Sequence, residues 1–217
     1  MHKSVKNLED INSEISLKVK ENISPTIVAV SKTFKMKEIL PLIKHGHSHF
    51  GENKVQEAIE KWSDIKTEYP NIKLHLIGGL QTNKVKFAIK IFDYIHSVDS
   101  EKLANKISEE QLKQKKKIKI FIQVNLGEEK QKSGISKLDL ENFYKYCKNL
   151  DLDILGLMCI PPVNKDSKIF FQELKLLNQK LNLKELSMGM SSDYISASEC
   201  HSTYLRIGSK IFGERIT

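Results

Sequence analysis

Short apolar, β-branched runs alternate with stretches of helical period along the whole chain. The run Ile27-Val28-Ala29-Val30 lies between Ser24-Pro25 and Ser31-Lys32-Thr33 and predicts a strand over 26–31. Ahead of it, Val5, Leu8, Ile11, Ile15 and Val19 share one side of an amphipathic helix placed within residues 1–22. The same pattern predicts helices over 36–44 (with Pro41 kinking or delaying it), 55–68, 85–91, 101–114, 138–150 and 167–181. Between them it predicts strands over 48–50, 73–77, 94–98, 118–124, 154–159, 186–190 and 204–207. A short helix separates the last two strands, a helical turn closes the chain, and Thr82 is expected to cap the helix at 85–91. Eight strands alternating with helices describe a parallel sheet, and the number favours an α/β fold closed into a single (β/α)8 TIM barrel. An open doubly wound sheet is the alternative. No GxGxxG or GxxxxGK[ST] follows the first strand, which counts against a nucleotide-binding open sheet.

The 217 residues suit one substantial core, so residues 1–217 are expected to form one domain. Lys and Arg total 35 against 27 Asp and Glu, a net charge of +8. The lysines are scattered apart from the run at 113–119, which lacks stacking aromatics and reads as a solvated helix end rather than a nucleic-acid patch. Cys147, Cys159 and Cys200 are odd in number and far apart, so neither a disulfide framework nor a zinc site is indicated and a reduced cytoplasm is expected. The polar N-terminus lacks the apolar core of a signal peptide, and no stretch reaches the length of a membrane span.

Candidate chemistry sits at the strand ends. Lys32 stops the first strand, where partial desolvation would leave an amine able to attack an aldehyde. The loops after strands seven and eight, Met188 to Asp193 and Leu205 to Ser209, supply glycines, hydroxyls and backbone N–H groups suited to a phosphate. A reactive lysine set across the barrel from a phosphate cup, with Arg206 between them, suggests pyridoxal phosphate. His45, His47 and His49 alternate and raise a metal site, but no acidic partner is evident and no metal is expected. His75 and the methionines 158, 188 and 190 read as core.

The runs VAVSKT, HFGENKVQE, HLIGGLQTNK, the Glu129-to-Gly134 segment, GLMCIPP, LSMGMSSD and STYLRIGSKIFGER stand in this order. In that combination the chain resembles the YggS/PROSC family of pyridoxal phosphate homeostasis proteins over nearly its whole length. The resemblance implies a single barrel similar to the N-terminal domain of alanine racemase. It implies that Lys32 forms the internal aldimine, that Ser191, Gly208 and Ser209 hold the phosphate, that Arg206 faces the pyridine nitrogen and that Asn53 lies near the cofactor. It implies a monomeric cytoplasmic carrier with pyridoxal phosphate as ligand and apo-enzymes as recipients, and no nucleic-acid or membrane partner. The rival is an active amino-acid racemase. Such racemases carry a second domain, and the chain ending at Arg215-Ile216-Thr217 is expected to leave no room for one. The chain departs from the family at His201, where glycine is usual, and at Lys54, where tyrosine is common.

Overall fold

In the computed structural model, which describes residues 1–19, 24–129, 131 and 133–214, eight parallel strands pair in sequence order and the last pairs with the first. The strands are β1 (Thr26–Val30), β2 (His49–Glu52), β3 (Lys73–Leu76), β4 (Tyr94–Val98), β5 (Lys119–Gln123), β6 (Asp153–Met158), β7 (Glu185–Ser187) and β8 (Tyr204–Ile207). Closure follows from the register Thr26↔Tyr204 to Ala29↔Ile207 between β1 and β8. The helices are α1 (Lys3–Lys18), α2 (Met36–Lys44), α3 (Val55–Glu68), α4 (Val85–Ile91), α5 (Glu101–Gln114), α6 (Leu140–Asn149), α7 (Ser167–Lys180), α8 (Tyr194–Glu199) and α9 (Ser209–Phe212). This is the (β/α)8 barrel expected from the pattern.

Most elements match the periodicity, and the differences are local. β2 continues through Gly51 and Glu52, which the pattern places in a loop, because Gly51 and Glu52 pair with His75 and Leu76. β7 stops at Ser187, so Met188–Met190 belong to the following loop. Thr82 does not cap α4: a 3-10 turn, Thr82–Lys84, leads into the helix without a side-chain cap. Pro41 stays inside α2. α1 ends at Lys18, and residues 20–22 of the expected N-terminal helix, Lys132 and Arg215–Thr217 lie outside the described residues.

Alternation along the strands separates two interiors. Outward residues such as Ile27, Phe50, Leu74, Leu205 and Ile207 pack under the helices into the main core. Inward residues fill the barrel itself: Tyr94, Phe121 and Met158 form a separate apolar cluster, with Leu155 and Tyr204 against it. α1 braces the end of the chain that carries the site. Asn7 Nδ2 donates to the Ile211 carbonyl at 2.9 Å, and Glu14 accepts from Lys210 Nζ at 3.1 Å and from the Tyr194 hydroxyl. No described helix is long and apolar enough to cross a membrane.

Candidate functional site

Two-residue periodicity carries the inward face of β1 from Val28 and Val30 to Lys32, of β2 from Gly51 to Asn53, and of β8 from Arg206 to Gly208. At the C-terminal mouth Val30, Lys32, Asn53, Arg206 and Gly208 line one cavity of about 350 Å³, together with Ile77, Ile160, Met190, Ser191 and Ser209. All six residues singled out by the sequence are therefore brought to one site. One placement differs: Lys32 is beside the Gly208–Ser209 turn rather than across from it, because barrel closure makes β1 and β8 hydrogen-bonded neighbours.

The loop after β7 is held by its own chain. Gly189 has φ +90° and no room for a Cβ, which would meet the Ala197 Cβ at 2.5 Å. The Met190 N–H donates to Asp193 Oδ1 at 2.7 Å, and the Gly189 carbonyl accepts from the Arg206 N–H at 3.0 Å. Ser191 Oγ then accepts from the backbone N–H groups of Gly208 and Lys210, both at 3.3 Å. Two amides converging on one oxygen provide the donor arrangement that a phosphate oxygen needs.

Arg206 is 4% exposed. It donates from Nη1 to Ser187 Oγ at 2.6 Å and from Nη2 to the Cys159 carbonyl at 2.9 Å, and neither acceptor is charged. Burial lowers its affinity for the proton, opposed by Cys159 and Asp193, and the guanidinium remains cationic. Burial pushes the Cys159 thiol up to about 12, so it is no nucleophile at neutral pH.

The turn that carries Lys32 is stapled from outside by α3. Lys61 Nζ donates to the Ser31 carbonyl (2.9 Å), Glu52 Oε1 (3.0 Å) and Glu57 Oε1 (2.9 Å). Ser31 Oγ and Trp62 Nε1 also donate to Glu52 Oε1, at 2.7 and 2.9 Å. Thr33, at φ 69°, donates its N–H to Glu57 Oε1 at 2.7 Å. Glu52 is fully buried and its Oε2 has no partner among the described residues, so burial raises its pKa while Lys61 opposes the rise.

Sequence reasoning missed this brace and also the interior of the barrel. The sequence reads His75 as core packing, yet it joins His49 and His96 through hydrogen bonds of 2.9 Å each. Extending the inward parity to β3 and β4 would have found them. The three alternating histidines do not share a face: His45 pairs with Glu9, and His47 Nε2 bonds the backbone carbonyl of His49. Among the described residues, no group of three or more His, Cys, Asp or Glu is placed to hold a metal ion. His201 has φ 66°, in the left-handed region that glycine adopts without strain. The backbone after it still reaches β8 pairing with β1 intact. Lys54 is exposed at the start of α3 and does not line the cavity.

Residues 7–216 match the family model described as alanine racemase, N-terminal domain. The pyridoxal phosphate homeostasis protein of Haemophilus influenzae is 36% identical over 200 residues, covering 87% of this chain and 84% of that one. PipY of Synechococcus elongatus PCC7942, solved with PLP bound, superposes with a TM-score of 0.87 at 32% identity, covering 97% of this chain and 100% of PipY. The alanine racemase of Clostridium difficile 630 shares the fold at 17% identity and a TM-score of 0.75, with 99% of this chain matching 57% of that one. The chain belongs to the alanine racemase N-terminal domain family and, within it, to the pyridoxal phosphate homeostasis proteins.

Proposed function

We propose that the mouth cavity binds pyridoxal 5'-phosphate and that the protein holds and releases this cofactor, as a monomeric, single-domain cytoplasmic carrier serving pyridoxal-phosphate-dependent apo-enzymes. When bound, the cofactor supplies an aldehyde that condenses reversibly with a primary amine. Lys32 offers that amine at the mouth. Ser191, Gly208 and Ser209 offer hydroxyl and amide donors to a phosphate, Asn53 a neutral polar edge, and Arg206 a fixed positive charge that disfavours protonation of a ring nitrogen beside it.

The observation that carries the non-catalytic part is the composition of the cavity wall. Among the described residues lining it, Lys32 and Arg206 are the only ionisable ones, and arginine does not accept a proton. Racemisation requires a proton acceptor and a donor on opposite faces of the substrate. Lys32 can serve one face only, so a monomer has no second proton-transfer group lining this cavity among the described residues. The relatives' name and the PLP bound to PipY support the choice of ligand.

The test is addition of pyridoxal phosphate followed by borohydride and peptide mass spectrometry. The reduced adduct is expected on Lys32, and Lys32→Ala should abolish the new absorption band; a band that survives the substitution refutes the assignment. L-Alanine incubated with the loaded protein should keep its optical rotation. Racemisation at ordinary enzymic rates overturns the carrier reading.

A further inference from the structure

Arg206 is a buried cation whose two hydrogen-bond acceptors are neutral, and one of them starts a string that crosses the barrel interior. Ser187 Oγ stands 2.7 Å from His96 Nδ1, His96 Nε2 stands 2.9 Å from His75 Nδ1, and His75 Nε2 stands 2.9 Å from His49 Nδ1. Four strands contribute: β7, β4, β3 and β2. Ser187, His96 and His75 are fully buried, and His75 and His96 are further clamped by stacking on Tyr94 (4.1 Å) and Phe121 (4.4 Å).

The protons along this string follow from its first member. A guanidinium only donates, so Ser187 Oγ accepts from Arg206. Its remaining partner among the described residues is His96 Nδ1, so the hydroxyl hydrogen goes there and Nδ1 is the acceptor. His96 must then carry its proton on Nε2 and give it to His75 Nδ1. His75, for the same reason, donates from Nε2 to His49 Nδ1. All three rings are Nε2–H tautomers, and every lone pair points back toward Arg206. Burial lowers the pKa of each ring, which keeps the string uncharged.

We propose that Ser187, His96, His75 and His49 are positioning residues for Arg206: a one-directional chain of neutral dipoles that solvates and orients the guanidinium without cancelling its charge. A carboxylate partner would hold the arginine equally well but would neutralise it. The dipole string leaves a full positive charge to the ligand. The functional consequence rests on the pyridoxal phosphate reading above, and the proton arrangement does not.

The test has two arms. In the first, imidazole nitrogen NMR of the protein without added cofactor, near pH 7, reads the tautomers directly. Nε2–H at His49, His75 and His96 is the expected result, and an Nδ1–H tautomer or an imidazolium at His75 or His96 overturns the proposal. In the second, Ser187→Ala removes one hydroxyl. It is expected to weaken pyridoxal phosphate binding at least tenfold and to displace the absorption maximum of the bound cofactor, while borohydride still fixes the adduct on Lys32. Ser187→Thr, which keeps the hydroxyl, should restore the wild-type maximum. Wild-type affinity and spectrum in Ser187→Ala overturn the positioning role. If the unmutated protein forms no adduct at all, the cofactor reading fails, and the tautomer spectrum still judges the string by itself.

Discussion

Replacing Lys61 with methionine isolates the brace behind the Lys32 turn. Methionine keeps most of the apolar stem, and what is lost is three hydrogen bonds, to the Ser31 carbonyl, Glu52 and Glu57. Glu52 is then a fully buried carboxylate without its counter-ion, holding only the Ser31 and Trp62 donors. Removing one partner of a buried ion pair costs about 3–5 kcal/mol. The carboxyl limits the loss by taking up a proton, since its pKa is already raised by burial and loses the opposing effect of Lys61. A group whose folded pKa lies above its unfolded value binds an extra proton in the folded state, so stability falls as pH rises through that interval. Lys61→Met should therefore lose more stability at pH 8 than at pH 5, with a slope of up to about 1.4 kcal/mol per pH unit relative to wild type. Adding Glu52→Gln removes the buried charge and should recover about 2 kcal/mol at pH 8. Urea unfolding of the four proteins of this cycle at both pH values measures each quantity. A Lys61→Met loss below about 1 kcal/mol, or one that does not change with pH, refutes the idea that a charged Glu52 depends on Lys61. Because the same ammonium fixes the Ser31 carbonyl, the variant should also bind pyridoxal phosphate more weakly.

Three further outcomes are expected. Burial holds His47 down to about 4 and lowers His49, His75 and His96, so the unfolded chain takes up protons before the folded one. Stability should thus fall as pH drops from about 6.5 toward 4, His47 alone accounting for about 3 kcal/mol, and an acid titration showing constant stability over that range would contradict it. Gly189→Ala places a Cβ 2.5 Å from Ala197 and 2.9 Å from Leu205 at a positive φ; it should cost about 2–4 kcal/mol by thermal unfolding and weaken phosphate binding. Gly156→Ala drives a Cβ to within 1.7 Å of the Glu185 carbonyl oxygen and should prevent β6 and β7 from pairing, so recovery of soluble, folded protein would count against the observed register.

Local pattern was enough for the elements and for the residues at the mouth. Strand and helix periods are properties of neighbouring residues, and α2, α3, α4, α5, β4 and β8 fall where those periods place them. The same parity that makes β1 a buried strand puts Lys32 on the inward face, and the glycine and serine loops after β7 and β8 announce themselves by composition. What the sequence left open depends on register between distant strands. Closure of β8 onto β1 turns an expected opposition of Lys32 and the Gly208–Ser209 turn into adjacency. The histidine string spans residues 49 to 206, and its order exists only because β2, β3, β4, β7 and β8 bring one inward side chain each to matching heights. The Lys61 brace likewise needs α3 to lie against the end of β1, thirty residues earlier in the chain. Sequence by itself thus determined which residues face inward; only the closed barrel decided which of them touch, since contact is set by the pairing of strands and not by any pattern within one.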